Sequence, residues 1–423
     1  MTAIPRSLLP DTTRVGPDGG TLIGGCGLVA LASEYGTPLF VYDVAHLRAR
    51  IGEAVAAFGE GAVYASKAFL CRAMARLVTE AGMSMDVATG GELAVALAAG
   101  TPPERLVFHG NNKSVAELRL ALETRVGRIV IDNDDEISRI EELVASGQSP
   151  PRVLIRITPG VEAHTHEYIS TGQIDSKFGF DVASGAAAAA VARVRDSGAM
   201  DLVGIHAHIG SQVFRAQSYA SALEVIAGFS EPLDLPELSV GGGLGVPYVE
   251  GESAPTITEW ADALHSRARE LGVRARLFAE PGRAIVAGAA VTLYRVGTIK
   301  QIPGVRTYVA VDGGMSDNPR PVLYGSGYET FLPRALDAPR PRSIRLVGKH
   351  CESGDLLVRE GRVPADLQVG DIISTPVTGA YGHSMGSNYN KVLRPAVVFV
   401  EDGDARLVVR RETYDDLLVT DVG

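Results

Sequence analysis

Cysteine is scarce in this chain. Cys26, Cys71 and Cys351 are odd in number and widely spaced, which argues against a disulfide framework. A reducing compartment fits them, with any reactive cysteine kept as a thiol. Long apolar runs are also missing. Stretches such as 284–294 stop well short of the roughly 20 residues that a membrane-spanning helix requires. The opening MTAIPRSLLPDTTR has no apolar segment after a charged start, so it does not read as a secretory signal. Acidic and basic residues are interspersed around a formal net charge of −10, and no basic stripe offers a nucleic-acid backbone a track. These absences predict a cytoplasmic protein with neither nucleic acid nor membrane as partner.

What is present is a chain of 423 residues, 46% of them hydrophobic, enough for a large core and more than one small domain. Eight short runs rich in Val, Ile, Leu and Phe recur at 63–66, 84–88, 106–109, 129–132, 153–157, 203–208, 238–240 and 277–279. Most show little alternation, as expected of parallel strands buried on both faces. Helix-length segments such as 91–99 and 114–123 separate them, and the alanines at 186–190 read as plain helix. A doubly wound sheet would alternate in the same way. The count of eight is what predicts a (β/α)8 TIM-type barrel. Beyond Arg283 the texture changes to strand-like runs at 291–300, 307–311, 344–348, 371–375, 396–400 and 405–410, punctuated by Gly, Pro and Asp. The division that follows is a barrel over 36–286 and a second, mostly β domain from 1–35 and 287–423. The polar stretch 158–180 is long for a barrel loop, a length that often marks function.

Chemistry in such a barrel sits at the C-terminal ends of its strands. Lys67, Asp86, His109 and His208 fall at the ends of strands one, two, three and six. Gly241, Gly242 and Gly243 follow strand seven. Glu280 ends strand eight, with Pro281, Gly282 and Arg283 next. Lys67 lies between apolar runs, where desolvation would free its amine as a nucleophile. Taken alone, such a lysine is more often a surface residue. The triple glycine lets three backbone N–H groups approach an anion, although a bare tight turn is the commoner reading. Its place after strand seven, where barrels bind phosphate, favours the anion, and Arg283 can add a charge-assisted bond. Glu280 is equally a structural ion pair or a carboxylate aimed at a pyridine nitrogen. His206 and His208 share a strand face and could ligate a metal, as could His164 and His166 in the long loop. No convincing third and fourth ligand accompany them, so no metal is expected. A packed core histidine remains open for His208.

With these residues placed, the chain resembles the fold-type III pyridoxal-phosphate enzymes and is most similar to the diaminopimelate decarboxylase family. The segments that carry the likeness span the chain: VYASKAFL, MDVATGGEL, HGNNKS, GVEAHTHEYISTGQIDSKFGF, HAHIGSQ, GGGLG, EPGRA, DGGMSDNPRP, GKHCESGD and GAYGHSMGSNYN. The resemblance implies pyridoxal 5'-phosphate as cofactor, held covalently by Lys67. His208 would stack on its ring and Glu280 would bind the pyridine nitrogen. Asp86, Ser211, Gly241–Gly243, Gly282, Arg283 and Tyr381 would complete the cofactor site. Arg283, Arg320, Tyr324, Glu352 and Tyr381 would hold the substrate, and Cys351 would return a proton after carbon dioxide leaves. The Cys351–Glu352 segment would come from a neighbouring subunit, which implies a homodimer with shared sites. The implied reaction turns meso-diaminopimelate into L-lysine. Rivals are decarboxylation of ornithine, lysine, arginine or a carrier-bound amino acid, a racemase, a non-catalytic homologue, and a metal-dependent barrel hydrolase. A substrate without a distal carboxylate would leave Arg320 unpaired, at a cost of several kcal/mol.

Overall fold

A computed structural model describes residues 3–160 and 176–423. His164, His166 and most of the 158–180 stretch lie outside the described residues. The chain divides into two compact units: 50–246 with 254–284, and 1–49 with 247–253 and 285–423.

The first unit contains eight parallel strands in barrel order: Val63–Ala65, Ser84–Val87, Leu106–Phe108, Arg128–Ile131, Arg152–Thr158, Asp201–Ala207, Glu237–Ser239 and Arg276–Phe278. A parallel bridge between Ala62 and Ala279 joins the eighth strand back to the first, so the sheet closes. The expected (β/α)8 barrel is therefore present, with strand ends within about two residues of those read from the sequence. Val63, Val107, Val130, Leu154, Val203 and Phe278, from six different strands, pack on one another along the barrel axis. At the strand starts Arg128 holds Glu237 (2.7 Å from Nη2 to Oε1) and lies over the Phe278 ring, plugging the N-terminal mouth with a charge pair.

At the opposite mouth strands two, three and four lead into helices opened by a capping side chain. Thr89, Ser114 and Asn133 accept hydrogen bonds from the N3 amides of the helices Gly90–Ala98, Val115–Thr124 and Asp134–Ala145. Neighbouring loops are then cross-tied. Glu117 accepts the Gly90 N–H at 2.8 Å. Lys113, fully buried, donates to Gly110 O, Val130 O and Glu136 at 2.9, 2.7 and 2.5 Å. A buried ammonium with all three donors used is a tie, not a reactive amine.

The second unit is built on a mostly antiparallel sheet in the order 356–363, 342–347, 306–311, 290–302, 39–43, 396–401, 404–409, with 372–376 also paired to 290–302. The strand Ala290–Ile302 is long enough to pair with Arg306–Val311 through its second half and with Leu39–Asp43 and Ile372–Pro376 through its first. Leu39–Asp43 is buried throughout and pairs in parallel with Ala396–Glu401. The boundary expected at residue 36 thus falls short of this division, because an apolar five-residue strand reads the same whichever sheet it joins. No helix among the described residues is long and apolar enough to cross a membrane.

Candidate active site

The barrel's C-terminal mouth assembles most of the polar residues expected there. Lys67 does not sit on a strand. It occupies a 3-10 turn, Ser66–Ala68, just beyond strand one. The expected desolvation is not found either. Ser66, Ala68 and Phe69 are buried, and Lys67 is exposed at the mouth, where its charge acts on Asp86 and Glu280. Asp86 on strand two anchors that turn by accepting the Ser66 N–H at 3.0 Å. Burial, helped by the neighbouring Glu280 and Glu92, pushes the Asp86 carboxyl up to about 7 against the pull of Lys67. The folded protein therefore favours protonated Asp86, and its stability should fall as pH rises from about 4 to about 7. Asp86→Asn, which keeps an acceptor for Ser66, is expected to remove that decline. The gain at pH 8 in urea unfolding of the cofactor-stripped protein should be no more than about 4 kcal/mol.

Glu280, two residues past strand eight, is 5% exposed. Ser239 Oγ donates to one carboxylate oxygen at 2.8 Å and His206 Nε2 approaches at 3.2 Å. His109 Nε2 stands 3.6 Å away, its ring edge-on to His206 with centroids 4.9 Å apart. Burial opposes the charge on Glu280, but His206, His109 and Lys67 outweigh it and hold the carboxyl well below its ordinary value. His206 Nε2 must then carry the proton it shares, and Nδ1 is buried with no partner among the described residues. Burial also keeps His109 neutral. Sequence reading weighed His206 with His208 as metal ligands. The structure instead groups His206 with His109 and Glu280, whose ligand atoms lie within 4.8 Å of one another. Within that group His206 and Glu280 face each other as donor and acceptor, and Ser239 occupies a carboxylate lone pair. The signal for this cluster was in the sequence: His206 is two residues before His208 on the inward face of strand six, and His109 ends strand three.

His208 is half-buried, one residue past its strand. Its Nδ1 accepts the Gly242 N–H at 3.2 Å, which fixes the ring as neutral with its proton on Nε2. Burial first, then Lys67 and Arg156, depress its pKa well below the usual value. This bond corrects one expectation. The triple glycine does not present three N–H groups to an anion, since Gly241 donates to Ser239 Oγ and Gly242 to His208. Gly243 N–H donates to no group among the described residues. A Cβ there would meet Gly210 O at 1.9 Å on a backbone with φ of +101°, so only glycine fits. Gly243→Ala is expected to cost at least about 2 kcal/mol of stability by urea unfolding. Ser211 accepts from Arg283 Nη2 at 2.9 Å beside this N–H. Gln212, at φ +60°, binds Val246 through both amide atoms at 3.1 and 3.2 Å and joins the loops after strands six and seven. Sequence reading missed Gln212, whose role depends on a backbone pairing partner. Gly282 packs on the Lys67 turn, where a Cβ would lie 2.8 Å from Ala65 O.

The remaining expected residues belong to the second unit. Cys351 and Glu352 are exposed on a loop that is firmly held: Asp355 accepts the His350 N–H at 2.8 Å and Asn390 Oδ1 the Cys351 N–H at 3.1 Å. Cys351 is exposed, and Cys26 and Cys71 are buried. Tyr381 is half-buried in the left-handed region at φ +59°, a strained backbone for a side chain of this size. Arg320 is buried at the start of the short helix Arg320–Tyr324, and Tyr324 at its end is half-buried.

The barrel mouth fits pyridoxal phosphate. It holds an exposed lysine, an ionised buried carboxylate with its own support, a neutral imidazole, and an unoccupied backbone N–H beside a serine and an arginine. Comparison with known proteins agrees. Residues 44–287 match the family described as pyridoxal-dependent decarboxylase, pyridoxal binding domain. The chain is 48% identical over 440 residues to the diaminopimelate decarboxylase of Mycobacterium tuberculosis, covering 99% of this chain and 97% of that one. It is 46% identical over 430 residues to that of Bacillus subtilis, covering 98% of each. The crystal structure of diaminopimelate decarboxylase from M. jannaschii in co-complex with L-lysine superposes with a TM-score of 0.90 at 32% identity, over 98% of both chains. A catalytic barrel mouth of this composition and likeness along the whole chain lead to one assignment: the chain belongs to the pyridoxal-dependent decarboxylases, within the diaminopimelate decarboxylase family.

Proposed function

We propose that the protein is a pyridoxal-phosphate-dependent carboxy-lyase that converts meso-diaminopimelate to L-lysine and carbon dioxide. The observation that carries the chemistry is the buried, ionised Glu280, held by His206 and Ser239 in the same barrel mouth as Lys67. When bound, the cofactor supplies an electron sink for the bond that releases carbon dioxide. Lys67 would hold it through its amine, which a substrate amine would displace. Glu280 would keep a proton on the pyridine nitrogen. His208, neutral and tied to Gly242, would lie against the ring. Ser211, Gly243 and Arg283 would take the phosphate, with Gly241, Gly242 and Gly282 shaping the cradle, and Asp86 and Tyr381 completing it. Arg283, Arg320, Tyr324, Glu352 and Tyr381 would orient the substrate, and Cys351 Sγ would return a proton to the carbon that loses its carboxylate. In the homodimer implied by the family likeness, Cys351 and Glu352 serve the neighbouring subunit. The small, odd number of widely spaced cysteines suits a cytoplasmic setting.

The choice of substrate rests on Arg320, a buried cation suited to a second carboxylate, and on the likeness to diaminopimelate decarboxylases. The test is to supply pyridoxal phosphate and, separately, meso-diaminopimelate, ornithine, lysine and arginine, assaying carbon dioxide and amine product. Lysine from meso-diaminopimelate alone is the expected result. Activity only on another amino acid would retain the Lys67 chemistry and overturn the substrate.

A further inference from the structure

Arg320 is 3% exposed, yet no carboxylate is paired with it among the described residues. Its neighbour in kind, Arg340, is equally buried and is neutralised by Glu329 at 2.8 Å, with Thr330 O accepting a second bond at 3.0 Å. Arg320 is surrounded instead by tyrosines. Nη1 donates to Tyr328 Oη at 2.5 Å. The guanidinium carbon lies 4.2 Å from the centroid of Tyr248 and 5.7 Å from that of Tyr328. The two rings meet edge to face at 5.2 Å and 77°, so each fixes the other. Nε is buried and has no hydrogen-bond partner among the described residues. One hydroxyl and two ring faces support this charge with no countercharge beside it, and a buried donor left unsatisfied costs about 1–3 kcal/mol.

A guanidinium grips a carboxylate in two-point fashion along one edge. With Nη1 committed to Tyr328, the edge that remains is Nε with Nη2. We propose that Tyr248 and Tyr328 are positioning residues that hold Arg320 with its Nε–Nη2 edge open for the carboxylate the substrate keeps. The tyrosines support the charge through ring faces and one hydroxyl, without the carboxylate that would compete with the ligand. This rests on the reading of the protein as a decarboxylase of a dicarboxylic amino acid, and it names the residues that select that class.

The test compares holoenzyme binding of L-lysine, which has a carboxylate, with cadaverine, the same diamine without one. Tyr328→Phe is expected to weaken lysine about tenfold while changing cadaverine by less than about twofold. The KM for meso-diaminopimelate should rise in parallel with kcat nearly unchanged, and the cofactor absorbance should not move. Tyr248→Leu should weaken lysine about fivefold, and Tyr248→Phe, which keeps the ring, should restore it. Equal weakening of lysine and cadaverine, or a shifted cofactor band, would reduce the tyrosines to fold support and overturn the proposal, as would lysine binding unaltered by Tyr328→Phe. Binding does not require turnover, so the two readings separate. A wild-type enzyme that prefers lysine over cadaverine but releases no carbon dioxide from diaminopimelate would sink the activity and leave the carboxylate seat. One that binds both alike would sink the seat.

Discussion

Lys67→Ala is expected to lower decarboxylation by at least about 10⁴-fold, equivalent to 5 kcal/mol or more of lost transition-state stabilisation. The fold should be almost untouched. Lys67 is exposed on a turn whose buried members, Ser66 and Ala68, do the packing, and whose anchor is the Ser66 N–H on Asp86. The Lys67 charge is one of several acting on Asp86 and Glu280, so the loss of stability should stay within about 1 kcal/mol. Borohydride should fix the cofactor to the wild-type chain and not to the variant. The two measurements together are diagnostic: lost activity with so small a change in urea unfolding assigns the amine to chemistry. A variant that keeps borohydride-fixed cofactor would place the covalent link on another lysine, and Lys113 is a poor substitute because its three donors are already used inside the barrel.

Glu280→Gln carries the second large effect. The amide matches the carboxylate in shape but carries no charge. It can still meet Ser239 and His206, so the barrel should fold. What is lost is the negative charge that would hold a proton on the cofactor's ring nitrogen, and kcat should drop by about 10²–10⁴-fold. Cofactor should still be retained through Lys67, Ser211 and Arg283. The sign of the pH effect follows from the depressed pKa. A carboxyl held below its ordinary value stays ionised as pH falls through the usual carboxylate range, so Glu280 should not produce an acid limb near pH 4–5 in the kcat profile. His206→Phe should do so, because burial then acts on Glu280 with its hydrogen-bonding partner removed. A kcat profile for His206→Phe identical to wild type would show that His206 does not set the charge on Glu280.

Much of this protein was determined by local sequence. Apolar runs with little alternation, separated by helix-length segments, point to buried parallel strands, and the count of eight in succession is what points to a barrel. A barrel in turn fixes which residues face the mouth, so Lys67, Asp86, His208, Glu280 and the glycines could be named from their position after each strand. The assignment of Leu39–Asp43 to the second sheet could not be read this way, because its pairing partners at 290–293 and 396–400 are hundreds of residues away. The same limit explains the site. The turn that exposes Lys67, the bond that draws Gly242 onto His208, the meeting of His109 and His206 at Glu280, and the enclosure of Arg320 by Tyr248 and Tyr328 all join residues from separate elements. Side-chain type and spacing state what a residue can do. Which donor meets which acceptor, and which charge is left for a ligand, is set by distances of a few ångströms that exist only once the chain has closed on itself.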